Sequence, residues 1–470
     1  MGRRNRQKPI LIENIKIIDT ANKGKSIAKY DGRVIFISNG VPGDICDIRI
    51  FKKRKKFWEG KAEKFHIYSK RRTKPKCEHF GICGGCKWQN MRYEDQLKFK
   101  QNEVINNLER IGGIQIQNHK NIIGSKKRYF YRNKMEFTFS NKRWLTELEI
   151  KSGLDISNRN ALGFHIPGRF DKVINLENCY LQENPSNKIR HTINLFAQKN
   201  KLSYFDINKQ EGLLRNLTIK TTTTGEIMVL MQFYENNISK IKLVMEYIKN
   251  TFPNITSLLY TINQKANNTI YDQEIICFNG RDHIIERIDK LVFRIGAKSF
   301  FQTNSEQAKN LYRKTKELAS ISKEDTVYDL YTGTGTIAQY IASSAKKVIG
   351  IDSVNEGILA ANRNAEINKI KNCIFYTGNM KDIFSDDFIE KNGKPNIIIT
   401  DPPRDGMHKK VVEQICKIGA QRIIYVSCNT STQARDIALM KHIYKVTEIQ
   451  PIDMFPQTHH VENILVLEKK

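Results

Sequence analysis

One stretch of the sequence decides the fold, Val327-Tyr328-Asp329-Leu330-Tyr331-Thr332-Gly333-Thr334-Gly335. Its apolar residues run into a glycine turn, and helix-forming residues follow, which predicts a strand, a tight turn and a helix. A dinucleotide fingerprint needs a third glycine where Ala338 stands. Asp352 ends the next predicted strand, where a carboxylate can accept both hydroxyls of an adenosine ribose. Asp329 can pair with an ammonium group, which S-adenosylmethionine has and NAD lacks, so a methyl donor is favoured over a dinucleotide.

Strands and helices alternate after about residue 294, with strands expected at 326–330, 348–351, 397–401 and 422–427. This alternation predicts an α/β fold with a doubly wound, mostly parallel sheet, which binds ligands beyond the carboxyl ends of its strands. A helix over 93–111 and antiparallel strands over 135–140, 162–174 and 217–233 predict a central α+β region. The first 65 or so residues contain short strands between turn signals, which predicts a small β-barrel.

Two further motifs stand at the ends of predicted strands. Asp401-Pro402-Pro403-Arg404 forms an extended loop that can face a substrate, and Arg404 stands where amino methyltransferases have a base-stacking aromatic residue. Cys428 in Val426-Ser427-Cys428 would be presented to the same cleft, and a thiolate is soft enough to add to C6 of a pyrimidine. RNA cytosine-C5 enzymes use a second cysteine in a Pro-Cys loop, whereas this loop has two prolines. Uracil is therefore the favoured target.

Glu462 lies near the end of the chain in His459-His460-Val461-Glu462. Placed near C5 of the pyrimidine, its carboxylate would remove the C5 proton after methylation. As a solvated acid before the last strand it would have no such role, and sequence spacing leaves both interpretations open.

Cysteines cluster in Cys77-Glu78-His79-Phe80-Gly81-Ile82-Cys83-Gly84-Gly85-Cys86. In a reducing compartment such clustering indicates a metal site, because thiolates on a glycine-rich loop can converge on one soft metal or cluster. Three ligands leave the set one short. Cys179 lies in the same middle region of the chain, and the other candidates for a fourth ligand are Cys46, Cys277, Cys373, Cys416 and Cys428. Structural zinc remains a chemical competitor to an iron–sulfur cluster, since four cysteines suit both. The spacing differs from that of radical S-adenosylmethionine enzymes, which favours a structural role.

The composition indicates a polyanionic partner. The chain has 470 residues, with 78 Lys and Arg against 49 Asp and Glu, and a formal net charge of +29. Two basic runs, at 52–56 beside Phe57 and Trp58 and at 70–76, favour RNA backbone binding and base stacking over a solvated face. A hydrophobic content of 40% excludes a wholly disordered protein. We expect no membrane span and no targeting signal, and therefore a cytoplasmic protein.

Together these residues resemble the RNA uracil-C5 methyltransferase family over nearly the whole chain, and most closely its ribosomal-RNA members. The resemblance implies an OB-like RNA-binding barrel (a TRAM domain) over 1–68, a central α+β domain with the cysteine cluster over 69–292, and a Rossmann-like class I S-adenosylmethionine-dependent methyltransferase domain over 293–470. It also implies a four-cysteine [4Fe-4S] site formed by Cys77, Cys83, Cys86 and Cys179.

The resemblance assigns roles to single residues as well. Phe301-Gln302-Thr303-Asn304 matches a segment whose glutamine binds the methyl donor. The donor contacts implied in this way are Gln302, Tyr331, Thr336, Asp352, Asn379 and Asp401. Asn379 stands where many relatives have Asp, and Asp405 replaces a small or basic residue. Cys428 matches the nucleophile and Glu462 the base.

The activity implied is transfer of a methyl group from S-adenosylmethionine to C5 of a uridine in 23S ribosomal RNA, through a covalent bond between Cys428 and C6. We expect a monomer. The alternatives are the same reaction on tRNA, or an inactive RNA-binding ribosome assembly factor. The TRAM segment and the cysteines favour ribosomal RNA over the tRNA branch, whose bacterial members lack both.

Overall fold

The computed structural model describes residues 10–116, 119–153 and 157–470. Within these residues the strands form a six-stranded sheet, a seven-stranded sheet, a two-stranded hairpin and a second seven-stranded sheet, in chain order. No helix in this part of the chain is both long and apolar enough to cross a membrane. The first residues, on which the expected lack of a targeting signal depends, lie outside the described ranges.

The N-terminal sheet has the strand order β1-β5-β6-β4-β3-β2. Its strands are β1 Ile10–Lys16, β2 Asp19–Ala21, β3 Lys25–Tyr30, β4 Arg33–Ser38, β5 Ile45–Lys53 and β6 Phe57–Ile67. β1 and β2 lie at opposite edges although only two residues separate them in the chain. Those residues bond towards both ends of the sheet, because Ile17 N–H donates to Asp44 O (2.9 Å), just before β5, and Ile18 N–H donates to Ile27 O (2.8 Å) in β3. The sheet therefore curls around a core that includes the buried Ile35 and Ile37, as an OB-like fold requires.

The central part begins with a helix and continues with a seven-stranded sheet of order β13-β12-β11-β10-β7-β8-β9. Its elements are α1 Tyr93–Arg110, β7 Lys134–Ser140, α2 Glu147–Lys151, β8 Ala161–Ile166, β9 Arg169–Asn175, α3 Ser186–Lys199, β10 Leu214–Thr221, β11 Ile227–Phe233, α4 Ile238–Thr251, β12 Ser257–Ile262 and β13 Ile276–Gly280. One face of this sheet is apolar and packs on α3 and α4, through residues such as Phe137, Leu217, Ile193 and Val244. The opposite face carries polar side chains such as Glu136, Thr218 and Gln232 beside apolar ones such as Leu230.

The C-terminal part follows a hairpin, β14 His283–Ile288 and β15 Leu291–Gly296. It comprises α5 Ser305–Ala319, β16 Thr326–Leu330, α6 Thr336–Ala342, β17 Lys347–Asp352, α7 Asn355–Ile367, β18 Cys373–Thr377, α8 Met380–Ile383, α9 Asp386–Asn392, β19 Ile397–Thr400, α10 Lys409–Ile418, β20 Arg422–Ser427, α11 Thr430–Met440, β21 Tyr444–Ile452 and β22 Glu462–Lys469. The strand order is β18-β17-β16-β19-β20-β22-β21. This is the expected α/β methyltransferase fold.

Strand register brings the predicted motifs to one edge of the C-terminal sheet. Leu330 at the end of β16 pairs with Ile351 of β17 and Thr400 of β19, and Thr400 pairs with Tyr425 of β20. All four strands are parallel, so the loops that follow them lie side by side. The glycine turn, Asp352, the Asp401 loop and Cys428 therefore share the carboxyl edge of the sheet.

Candidate active site

The glycine turn after β16 is held by Asp352. Gly333 N–H donates to Asp352 Oδ2 (2.9 Å), and Val354 N–H donates to Oδ1 (2.8 Å). Gly333 has a φ of +56°, and a Cβ added there would meet no atom within 4 Å. The backbone thus borders open space at the place where the methyl-donor contact is expected. A Cβ on Gly335 would instead approach the Phe375 ring to 2.9 Å, so the second glycine is required by packing.

Asp329 is a buried carboxyl group beneath this turn, with 1% of its surface exposed. Its Oδ2 accepts from the Thr332 hydroxyl and from Ala338 N–H (3.1 Å). Its Oδ1 has no hydrogen-bond partner among the described residues. Burial raises the pKa of this carboxyl to about 7. A buried acceptor without a donor is costly, and an ammonium group of a bound ligand would satisfy it.

The segment around Gln302 connects the central and C-terminal parts. The carbonyl of Gln302 accepts from Asn133 Nδ2 (2.9 Å). Asn304 caps α5 by accepting from Gln307 N–H (3.2 Å) and donates to Met454 O (2.9 Å). The Thr334 hydroxyl donates to Phe300 O (3.3 Å), which places the segment against the glycine turn. The segment that contains Gln302 therefore lies against the glycine turn, where the methyl-donor site is expected.

Tyr331 follows β16 with a φ of +64°, a left-handed conformation that is strained for a bulky residue. Strain of this kind costs roughly 1–3 kcal/mol and persists where surrounding structure fixes it, often at binding sites. Thr336 begins α6 beside the buried Tyr312. Asn379 follows β18 and caps α8, next to Gly378, whose N–H donates to Asp352 O (2.9 Å). The structure thus brings all the predicted donor contacts to one edge.

Cys428 and Glu462 are brought together by the pairing of β20 with β22. Ser427 lies opposite Asn463 in this antiparallel pair, so the residues that follow and precede them, Cys428 and Glu462, are also adjacent. Burial raises the pKa of the Cys428 thiol to about 12, and the carboxyl group of Glu462 contributes to the rise. Burial also raises the pKa of Glu462 well above its usual range, and Asp401 adds to this effect.

Arg404 is the positive group that opposes these pKa shifts, a role that was not predicted from the sequence. Its guanidinium interacts with Cys428 and lowers the pKa of the thiol, and it also lowers the pKa of Glu462. The loop that carries it is anchored, since Arg404 O accepts from Asn429 Nδ2 (2.8 Å) and from the Thr432 hydroxyl (3.1 Å). The arginine in the Asp-Pro-Pro-Arg motif was the available signal, because a guanidinium stabilises a thiolate as well as a phosphate.

Asp401 lies between the donor site and the nucleophile. Burial raises its pKa to about 7, with a further contribution from the carboxyl group of Asp329. Asp401, Glu462 and Cys428 are thus three acidic groups in one desolvated cleft. Acidic groups whose pKa values are raised in this way cluster at catalytic sites.

The four predicted cluster ligands line one small cavity of about 30 Å³, together with Gln89. Cys77 N–H donates to Gln89 Oε1 (3.0 Å), Gly85 N–H donates to Cys83 Sγ (3.4 Å), and Cys179 N–H donates to Asn187 Oδ1 (2.9 Å). Among residues 10–116, 119–153 and 157–470, no three His, Cys, Asp or Glu side chains form a group that could hold a metal ion. The structure therefore assembles the four thiols around one cavity and leaves the metal prediction open.

The cysteine loop is tied to the segment before Glu462. Lys87 N–H and Trp88 N–H both donate to Gln457 O, at 2.9 and 3.0 Å. Gln457 N–H in turn donates to Gln96 Oε1 (3.0 Å) on α1. These hydrogen bonds join the cysteine loop and α1 to the segment that leads to Glu462.

Both basic runs contain cations that are paired within the protein, Lys52 with Glu59 in the first run and Arg72 with Asp44 in the second. Arg72 forms a two-pronged ion pair with the buried Asp44 (2.8 Å for each bond) and stacks on Phe65, so it has a structural role. Trp58 lies beside the first run. Lys53 Nζ is 4.6 Å from the centroid of its ring, and the Arg33 guanidinium is 5.2 Å from it. These cations lie over the ring that was expected to stack on a base. Phosphate binding by the first run is compatible with this arrangement.

Comparison with known proteins agrees with this geometry. The family model of tRNA (uracil-5-)-methyltransferases matches residues 193–470, and the TRAM domain model matches residues 4–62. An RNA methyltransferase from Bacteroides thetaiotaomicron is 50% identical over 95% of this chain and 99% of its own length. One from Porphyromonas gingivalis is 45% identical over 96% of this chain and 99% of its own.

A solved structure is similar over the full length. The tRNA (uracil-54, C5)-methyltransferase of Pyrococcus abyssi, in complex with S-adenosyl-L-homocysteine, has a TM-score of 0.74 and 28% identity, and the match covers 96% of this chain and 100% of that one. The chain belongs to the family of S-adenosylmethionine-dependent RNA uracil-5 methyltransferases and carries a TRAM domain at its N-terminus.

Proposed function

We propose that the protein methylates C5 of a uridine in 23S ribosomal RNA, with Cys428 as the nucleophile and Glu462 as the base. The observation that carries the assignment of residues is the pairing of β20 with β22, which puts a thiol and a carboxyl group side by side at the carboxyl edge of the sheet. Arg404 and Asp401 complete the cleft. A thiol, two carboxyl groups and a guanidinium in one desolvated cleft support a catalytic function over that of an inactive assembly factor.

In the proposed reaction, the Cys428 thiolate adds to C6 of a uracil that has been flipped out of the RNA. This addition moves an electron pair towards C5, which is otherwise a poor nucleophile at neutral pH. S-adenosylmethionine supplies the methyl group when it is bound. Glu462 then accepts the C5 proton, and the thiolate leaves from C6. Arg404 stabilises the thiolate before the addition and after the release.

The residues of this chain fit the methyl donor. The orphaned Oδ1 of Asp329 suits an ammonium group. Asp352 suits the ribose hydroxyls, and the open space beside Gly333 suits the close approach of a ligand to the backbone. Gln302, Tyr331, Thr336, Asn379 and Asp401 are the further donor contacts that we propose.

We also propose that Cys77, Cys83, Cys86 and Cys179 bind a [4Fe-4S] cluster with a structural role. Four cysteines line one cavity and are the ligand type that such a cluster takes, and the N–H donated to Cys83 Sγ is typical of its surroundings. Iron, zinc and acid-labile sulfide, measured in protein purified without oxygen, test this assignment. Equimolar iron and sulfide are expected, whereas zinc without sulfide would overturn it.

Ribosomal RNA is the substrate proposed, and tRNA is the second candidate. The cysteine loop supports ribosomal RNA through the resemblance described above. The similarity to the tRNA methyltransferase of Pyrococcus abyssi covers 96% of this chain and favours the second candidate. Because that match covers 100% of the other chain, the arrangement of domains does not distinguish a ribosomal-RNA enzyme from a tRNA enzyme. The RNA itself must decide between them.

Mass spectrometry of nucleosides from separated ribosomal RNA and tRNA tests this choice, with cells that lack the gene. We expect 5-methyluridine to be lost from 23S ribosomal RNA and restored by the wild-type gene but not by Cys428→Ala. Loss from tRNA alone would replace the substrate, and unchanged 5-methyluridine in both fractions would overturn the activity. Glu462→Gln should leave RNA covalently attached to the protein, because the C5 proton is no longer removed.

A further inference from the structure

A cavity of about 350 Å³ lies beside the active site and is not used by the mechanism above. Its floor is the polar face of the central sheet, where β7, β10 and β11 contribute Glu136, Thr218 and Gln232. Its rim comes from residues 268–271 and 297–303. Small-ligand sites span roughly 300–1,000 Å³, so this cavity is large enough for a single small ligand group.

The floor contains a polar group that lacks a partner. Gln232 is only 2% exposed, and its Oε1 accepts no hydrogen bond from any described residue. A buried amide oxygen in this state costs free energy until a donor reaches it. The base edge of a nucleotide offers such N–H donors.

The rim combines aromatic rings with a cation. Tyr271 is 56% exposed and Phe300 is 64% exposed, and both line the cavity. Lys298 also lines it and has no hydrogen-bond or ion-pair partner in the described part of the chain. Exposed aromatic rings next to a lysine are the components that bind unpaired nucleotides, through base stacking and phosphate contact.

The wall of the cavity is shared with the donor-binding segment. Phe301 and Thr303 line the cavity on either side of Gln302. Lys220 fixes the start of this wall, since its buried Nζ donates to Gly296 O (2.8 Å), Ala297 O (3.0 Å) and Ser299 O (3.2 Å). A group bound in the cavity therefore lies one residue away from the methyl-donor site.

We propose that this cavity binds an unpaired nucleotide of the substrate RNA that neighbours the target uridine. Its base stacks on the rim aromatic rings and donates an N–H to Gln232 Oε1, and its phosphate lies near Lys298. The proposal rests on the function proposed above. It adds a second recognition site, which selects the uridine by its neighbour in the RNA.

Ultraviolet cross-linking tests the location directly. Cys428→Ala protein is irradiated with total RNA from cells that lack the gene, and the cross-linked peptides are identified by mass spectrometry. We expect a nucleotide attached to Tyr271 or Phe300. Because the inactive variant is used, this readout does not depend on methylation. Cross-links confined to other surfaces would overturn the proposal and leave the methyltransferase activity intact.

Methylation kinetics test the contribution to binding. Tyr271→Ala with Phe300→Ala should raise the KM for RNA roughly 5- to 150-fold, the range of base stacking on a single aromatic residue. The dissociation constant for S-adenosylhomocysteine should stay unchanged, and so should the KM of the control Phe170→Ala, an exposed ring of β9. An unchanged KM in the double variant, or an equal loss of S-adenosylhomocysteine binding, would refute an RNA site. If the wild-type protein transfers no methyl group to RNA, only the proposed function is refuted. The cross-linking experiment would still test whether the cavity binds a nucleotide.

Discussion

Replacing Lys100 by methionine tests how the helix α1 holds the segment that leads to Glu462, the proposed base. Lys100 Nζ donates to Asp453 Oδ1 (2.6 Å) and to Phe455 O (3.1 Å). Neither side chain of the ion pair is exposed. Asp453 Oδ2 also accepts from the Tyr93 hydroxyl (2.8 Å). The substitution keeps an unbranched side chain that is one atom shorter and removes its charge, so the carboxylate of Asp453 stays buried without a cation.

Removing one partner of a buried ion pair costs about 3–5 kcal/mol. For a domain of about 150–250 residues, each 1 kcal/mol lowers the Tm by about 2–4 °C, so we expect a decrease on the order of 10 °C. Replacing both residues, as Lys100→Met with Asp453→Asn, removes the unpaired charge and should recover part of the loss.

Thermal unfolding followed by circular dichroism measures these differences. Lys98→Met is the matched control, because Lys98 is an exposed residue of the same helix, and its Tm should equal that of the wild type. The reasoning is refuted if Lys100→Met melts at the same temperature as Lys98→Met, or if the double variant is less stable than Lys100→Met.

Three further predictions concern the cleft itself. Arg404→Gln should slow formation of the covalent complex with 5-fluorouridine RNA by about 10- to 100-fold, since a hydrogen bond to a charged group contributes about 1.5–3 kcal/mol. An unchanged single-turnover rate would contradict stabilisation of the thiolate by Arg404. The pKa of the Cys428 thiol is raised to about 12, so the thiolate fraction increases with pH below that value. The wild-type rate of adduct formation should therefore rise about tenfold per pH unit between about 7 and 9. A rate that does not change with pH in this range would contradict the prediction. Asp352→Asn should weaken S-adenosylhomocysteine binding, measured by calorimetry, by about 10- to 100-fold, whereas the exposed Glu356→Gln should bind as the wild type does.

The sequence predicted the C-terminal fold well because its signals are local. The strand over 326–330 and the strand over 422–427 have the predicted bounds. In each case an apolar run ends at a turn, and a parallel sheet then forces the following loops to one edge. The shared position of Asp352, Asp401 and Cys428 follows from that topology.

Other features depend on contacts between distant parts of the chain. Lys100 and Asp453 are 353 residues apart, and nothing near either residue indicates its partner. Sequence spacing left the role of Glu462 open, since its position beside Cys428 depends on β22 inserting between β20 and β21. Arg72 belonged to a basic run that predicted RNA binding, and its pairing with Asp44 could be seen only in the folded N-terminal sheet. The cavity at Gln232 likewise needs the register of three strands.

Mapping the covalent bond between protein and RNA tests whether Cys428 is the nucleophile. Protein is incubated with S-adenosylmethionine and RNA that contains 5-fluorouridine, and the cross-linked peptide is mapped by mass spectrometry. We expect a pyrimidine adduct on Cys428 and no adduct in Cys428→Ala. The adduct should be retained in the control Cys416→Ala, which replaces a half-buried cysteine of α10. An adduct of normal yield in Cys428→Ala, or one mapped to another residue, would contradict this assignment.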